Sequence, residues 1–252
     1  MTLETLPVAR NVPSVTAAQM AEADRVAAEM GIPLEALMEN AAHQIAWATR
    51  AFLGDVEGKL VVALVGSGNN GGDALGALRH LAGWGAEVDA YIAAPDRLRP
   101  LARLQYDILA RLGVALYDAT TLDDRFLAHR LSGRHVLLDG LLGYSAAGAP
   151  YGQIERLIRI ANQVAERAPV IAVDVPSGLD PDTGWPLGPV DPVRAALTVT
   201  LVLPKAGLLR PEARGAVGQL VLADIGIPAK AYGAGIDAGA VFAAGDLVRI
   251  IR

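Results

Sequence analysis

The sequence predicts an α/β fold in which a mainly parallel sheet is covered by helices on both sides, with a helical extension at the N-terminus. Two observations lead there. Leu60–Val65 (LVVALV) is a short, continuous apolar run bounded by glycine, as expected of a strand buried on both faces. Similar runs then alternate with segments of helical periodicity, the pattern of right-handed crossovers between parallel strands.

The elements follow in order. Residues 1–12 show no periodicity and read as a flexible arm, leaving 13–252 as a single domain. Thr16 stands three residues before Gln19, a capping-box pattern, and Met20, Ala23, Ala27 and Met30 follow at helical spacing. Pro33 opens a second helix with Leu34, Leu37, Met38, Ala41 and Ile45 on one face. This stripe reads as core or dimer interface. After Leu60–Val65, helices are expected over Gly72–Trp84, Leu98–Leu112, Asp123–Leu131 and Pro150–Arg167. Strands are expected over Val88–Ala93, Val114–Tyr117, His135–Asp139, Val170–Val175, Leu197–Leu203 and Gln219–Asp224. Pro181–Pro192 is rich in Pro, Gly and Asp and reads as a long surface loop.

Composition excludes several function classes. The chain has no cysteine, so disulfides, thiolate metal sites and cysteine nucleophiles are ruled out. A net charge of −5 argues against a nucleic-acid-binding face. No run approaches the ~20 apolar residues of a membrane helix, and the first residues lack the pattern of a secretory leader. A cytoplasmic protein with no membrane partner is expected. The four histidines have no metal-ligand spacing and read as packed or solvated, with His80 on a helical face toward the sheet.

Ligands of open parallel sheets bind beyond the carboxyl ends of the strands, and three such ends are chemically rich. They are Gly66-Ser67-Gly68-Asn69-Asn70-Gly71-Gly72-Asp73, Asp139–Gly148 and Asp174–Asp180. Their convergence would place Asn70, Asp73, Asp139, Asp174 and Ser177 around one crevice. The first contains G-x-G-x-x-G, which can cradle phosphate at a helix N-terminus, with Glu87 or Asp89 near the offset of a ribose-binding acid. Asn69, Asn70 and Asp73 suit cation or hydroxyl recognition better, and a tight turn needing small residues would explain the glycines alone. Asp139 and Asp174 also read as caps of strand ends, Ser177 as an ST-turn residue, and Lys205 as a phosphate contact or an exposed turn.

These segments resemble a known family. Gly66–Asp73 with Arg79-His80-Leu81 looks like the GxGNNGGDG…ARHL signature of the YjeF N-terminal domain family, the NAD(P)H-hydrate epimerases. Thr16–Asp24 with Leu37–Ala41, Asp139–Gly148, Asp174–Asp180, Pro204-Lys205 and Ala223–Pro228 match further family segments in order. The resemblance implies a Rossmann-like three-layer αβα sandwich and a homodimer. It implies interconversion of the R and S epimers of NADHX and NADPHX, nicotinamide nucleotides hydrated at C6 of the ring. It implies coupling to an ATP- or ADP-dependent dehydratase, whose domain has no counterpart in this chain, and a bound potassium ion. By motif position, Asn70, Asp139 and Ser177 would hold the ion. Asn69, Asn70, Gly71, Gly72, Asp73, Gly143, Tyr144, Ser145, Ala146, Ala147, Gly148, Ala149 and Asp174 would line the substrate.

Two positions depart from the pattern. Ala74 and Ala42 stand where the family has glycine; the first would crowd the ligand's phosphates and the second the packing. Asp174, at a strand end, is the expected general acid and base, with Asp139 second because a carboxylate tied to a cation is a poor acid. Two other readings stand beside the epimerase. One is a non-catalytic nucleotide-binding or dimerising scaffold of this fold. The other is an NAD-dependent oxidoreductase, for which the sequence has no Tyr-x-x-x-Lys or His–Asp pair.

Overall fold

The computed structural model describes residues 2–233, 236 and 238–251. Nine strands form one sheet: β1 (Val8–Ala9), β2 (Leu60–Val65), β3 (Glu87–Ile92), β4 (Ala115–Asp118), β5 (Val136–Gly140), β6 (Val170–Val173), β7 (Leu197–Leu201), β8 (Gln219–Ala223) and β9 (Leu247–Ile250). The spatial order is β1-β9-β8-β7-β6-β5-β2-β3-β4. Every pairing is parallel except β8 with β9. The chain winds outward from β2 to β3 and β4, then returns to place β5 on the other side of β2. The β2/β5 boundary is therefore the topological switch point, where such folds open a crevice.

Successive strand residues point to opposite faces, and both faces are buried. Val61, Ala63 and Val65 join one apolar cluster, while Val62 and Leu64 join the other. Helices α2 (Leu34–Leu53), α3 (Asn69–Gly83) and α4 (Pro100–Arg111) cover the first face through Ile45, Leu75, Leu78 and Leu109. Helices α5 (Asp124–Ser132) and α6 (Gly152–Val164) cover the second through Leu127, Leu131, Leu157 and Ile158. Helix α2 is thus part of the sandwich and not only an extension before it. Helix α1 (Ala17–Glu29) packs Met20, Ala23 and Ala27 beside Leu37 and Ala41 of α2. Met20, Leu37, Met38, Ala41 and Ile45 of the expected stripe are core, whereas Met30 and Leu34 are exposed, and the Thr16–Gln19 capping box forms as the sequence predicts.

The first twelve residues correct the expectation of a flexible arm. Leu3 and Leu6 are buried in the main core, and β1 pairs with β9. Neither strand was legible, because each is short and gains its partner only at the sheet edge. A short 3₁₀ turn also lies at Leu3–Thr5.

The two departures from family glycine settle into packing. A Cβ on Gly76 would lie 2.6 Å from the Ala42 methyl, so Gly76 of α3 supplies the space that Ala42 of α2 takes. A Cβ on Gly140 would lie 2.5 Å from the Ala74 methyl. Ala74 is fully buried in the core against β5. Gly66 is the tightest crossing: its Cβ would sit 1.9 Å from the Leu141 carbonyl oxygen. Backbone cannot yield that distance cheaply. Gly66→Ala is expected to cost about 3 kcal/mol or more, read as a lowered midpoint in urea unfolding.

Candidate active site

The β2, β5 and β6 ends and the loops that follow them enclose a cavity of about 760 Å³, within the range of small-molecule sites. Asn69, Asn70 and Asp73 line it from the start of α3, and Gly143–Ala149 line it from the loop after β5. Asp174, from the end of β6, faces it beside Lys205. The expected substrate set is therefore largely brought together. Gly71 and Gly72 are exceptions, because they pack instead. A Cβ on Gly71 would lie 2.2 Å from Gly66 O, and one on Gly72 would lie 2.6 Å from Met38 Cε. Their absent side chains let α3 approach the sheet and α2.

Asp139 and Ser177 lie beneath the cavity wall. Asp139 is fully buried. Its Oδ1 accepts from Ser177 Oγ at 2.6 Å and from Leu141 N at 3.3 Å, and its Oδ2 accepts from Ser177 N at 2.8 Å. Burial pushes its carboxyl up to about 6 against the opposing pull of these bonds. Asp139 does not line the cavity, which sets it apart from the second-choice acid that the sequence suggested. The expected cap role is real, as the carboxylate ties the β5 and β6 loops together. Ser177 Oγ also accepts from Leu142 N at 2.8 Å, and Asn70 Nδ2 donates to Leu142 O at 2.8 Å. Asn70, Asp139 and Ser177 thus meet around Leu142. The cluster offers the Asp139 carboxylate, Ser177 Oγ and the Leu142 carbonyl, oxygen donors of the kind a hard cation takes, while Asn70 turns its Nδ2 toward Leu142 O.

Lys205 corrects the sequence reading most sharply. It is no exposed turn: it is fully buried and ion-paired to Asp174 Oδ1. Its ammonium also donates to Leu201 O at 3.1 Å and lies 5.4 Å from the Tyr144 ring centre. Thr200 Oγ1 and Leu201 N donate to the same Asp174 oxygen, and Tyr144 N donates to Oδ2. Asp174 takes a left-handed backbone, φ 66, and Val202 does so at φ 62. A β-branched residue there is strained, and it ends β7 so that the chain turns Lys205 inward. Sequence periodicity carries no trace of that reversal.

Asp73 has the opposite surroundings. It is 7% exposed and, among the described residues, its side chain accepts no hydrogen bond, while it faces the cavity. Burial pushes its carboxyl well above the usual range, and the Asp174 and Asp24 charges push it further. Asp24, which sequence reading placed only in a motif, lines the same cavity and accepts from Tyr144 Oη at 2.6 Å. Burial raises its carboxyl too, opposed by that bond.

The histidines stay outside. His135 Nδ1 accepts from Leu60 N. His80 lies 3.0 Å from Glu39 and its ring centre is 5.0 Å from that of His43. It therefore faces α2 rather than the sheet.

Fold and site define a parallel α/β domain with a carboxylate-lined small-molecule cavity at its switch point. The sequence matches the model of the YjeF-related protein N-terminus over residues 34–207. The chain belongs to that family. It is 39% identical over 240 residues to a protein of Dehalogenimonas lykanthroporepellens named NAD(P)H-hydrate epimerase, covering 94% of this chain and 92% of that one. It is 37% identical over 222 residues to the bifunctional NAD(P)H-hydrate repair enzyme Nnr of Moorella thermoacetica, covering 86% of this chain and 41% of that protein. The chain thus spans less than half the length of the bifunctional relative. A solved yeast protein, ynu0, shares the fold with TM-score 0.77 at 23% identity, over 94% of this chain and 100% of that one.

Proposed function

We infer that this chain is an isomerase, an NAD(P)H-hydrate epimerase that interconverts the R and S epimers of NADHX and NADPHX for nicotinamide nucleotide repair. The observation that carries the reading is the presence of two unlike carboxyls in one cavity. Asp73 is buried with no hydrogen-bond partner for its side chain among the described residues, and Asp174 is ion-paired to Lys205. The nearly full-length likeness to a named epimerase supports the substrate class.

The chemistry needs a proton donor and an anion, with no redox step. As the C6–O bond breaks, its electron pair stays on oxygen, which takes the Asp73 proton and leaves as water. The ring nitrogen lone pair forms the planar iminium. Water then adds to C6 from the other face and gives a proton back to Asp73. Asp174 stabilises the positive ring throughout, and Lys205 holds it in place. This divides the work first expected of Asp174 alone. Its Oδ1 already accepts from Lys205, Thr200 and Leu201, which leaves little room there for a proton.

Asn69 and Asn70, with the 143–149 loop, would hold the nucleotide, and Gly71 and Gly72 would contribute through close backbone packing. Asn70, Asp139 and Ser177 would hold potassium. When bound, the ion would supply positive charge that braces the strand-end loops and offsets the local carboxylates.

The test is to incubate the protein with purified R-NADHX and follow the epimer ratio by chromatography, with and without potassium. Faster equilibration, greater with potassium, is the expected result. Nucleotide binding without acceleration would point to a scaffold, and neither would overturn both readings.

A further inference from the structure

We propose that Arg97 and Arg99 form a second phosphate subsite that binds the adenosine 2′-phosphate of the substrate, so that the chain prefers NADPHX to NADHX. The inference rests on the epimerase reading and extends it to substrate choice.

The cavity carries charged groups at both of its ends. At the β6–β7 side stand Asp174 and Lys205, and at the β3 side stand Arg97 and Arg99. Strands β3, β2, β5 and β6 are successive neighbours, so three spacings put about 14 Å between the two ends. A nicotinamide seated beside Asp174 therefore has its distant half near the loop after β3. The start of α3 lies between them. The first N–H groups of this helix have no intrahelical acceptor, as at any helix start, and can meet the pyrophosphate. The arginines lie beyond that point, where a further phosphate would fall.

The loop is built to hold them there. Arg99 N donates to Ser67 O at 2.8 Å and Arg97 N to Ala94 O at 3.0 Å. The first bond ties the loop to the glycine turn after β2, and the second closes the 3₁₀ turn of the loop itself. Among the described residues, neither guanidinium has an ion pair or side-chain hydrogen bond, whereas nearby Arg103 is engaged with Asp107 and Pro95. Asp96 and Asp118 also line this end. Asp118 turns its Oδ1 to Thr120 N and Oγ1, and neither aspartate is ion-paired to these arginines among the described residues. In parallel nucleotide folds the end of the strand after the glycine turn reads the ribose, and an arginine there accommodates a 2′-phosphate. Two planar forks suit that dianion.

The experiment measures kcat/KM for epimerisation of R-NADHX and R-NADPHX by wild type and by an R97Q/R99Q double variant, and dissociation constants of NAD+ and NADP+ for both. Wild type is expected to favour NADPHX. The double variant is expected to lose about 10–100-fold on NADPHX, mostly in KM, and to change little on NADHX. A parallel loss on both substrates would assign the arginines to the pyrophosphate and overturn the proposal, as would no loss on either. If wild type accelerates neither hydrate, the epimerase reading fails separately. The subsite then stands or falls on whether the double variant abolishes a preference for NADP+ over NAD+.

Discussion

Asp73→Asn is expected to lower epimerisation turnover by about 10²–10⁴-fold, the range that a positioned acid supplies, while leaving the fold intact. The side chain accepts no hydrogen bond among the described residues, and Asn matches its shape, so no buried partner is abandoned. Stability should instead change in its pH dependence. Asp73 holds its proton more tightly in the folded chain than at its ordinary value of 3.8. A group raised in this way contributes fully at pH below its unfolded value, and the contribution is lost as pH rises through the folded one. Asn cannot ionise, so the variant should lose less stability than wild type between pH 4 and neutrality. Urea titrations at several pH values read this. Turnover unchanged in Asp73→Asn would remove its role as proton donor. Asp174→Asn offers the contrast, because it should lose both turnover and stability.

The second large effect is on folding. Lys205→Met is expected to cost about 3–5 kcal/mol, because it strands the buried Asp174 carboxylate without its counter-charge. Urea unfolding measures the loss directly. Replacing both partners, as in D174N/K205M, should recover much of it, since a neutral pair of similar volume no longer strands a charge. Turnover should not return with the fold, as the ring cation would lack its anion. Recovery of both would reduce the pair to a structural brace. Full stability of Lys205→Met alone would mean that the pair does not bear on folding.

Much of the architecture was legible because buried parallel strands and amphipathic helices leave strong periodic signals. Leu60–Val65 is observed at the residues expected of it, and the Thr16–Gln19 capping box forms. The helix expected at Gly72 begins earlier, at Asn69. The sequence places Asn69 and Asn70 in a turn, whereas they form the first residues of α3 and aim its N-terminus at the cavity. The β1–β9 pair escaped notice, because a two-residue strand has no period to detect.

For the site, the segments that build it were readable in order along the chain, since each is a strand end followed by small or polar residues. The roles within it were not. Whether Asp73, Asp139 or Asp174 meets the substrate depends on which oxygens are already occupied, and those partners come from β7, the loop after β5 and Ser177. Only packing brings them there. Local residue pattern was enough to settle the layered fold and the three polar strand ends grouped at the cavity, because both arise from burial along the chain. Tertiary contact alone decided that Lys205 turns inward to neutralise Asp174, that Asp139 sinks beneath the wall and that Asp73 has no partner among the described residues. Charge compensation is a property of distance in space, and sequence separation does not encode it.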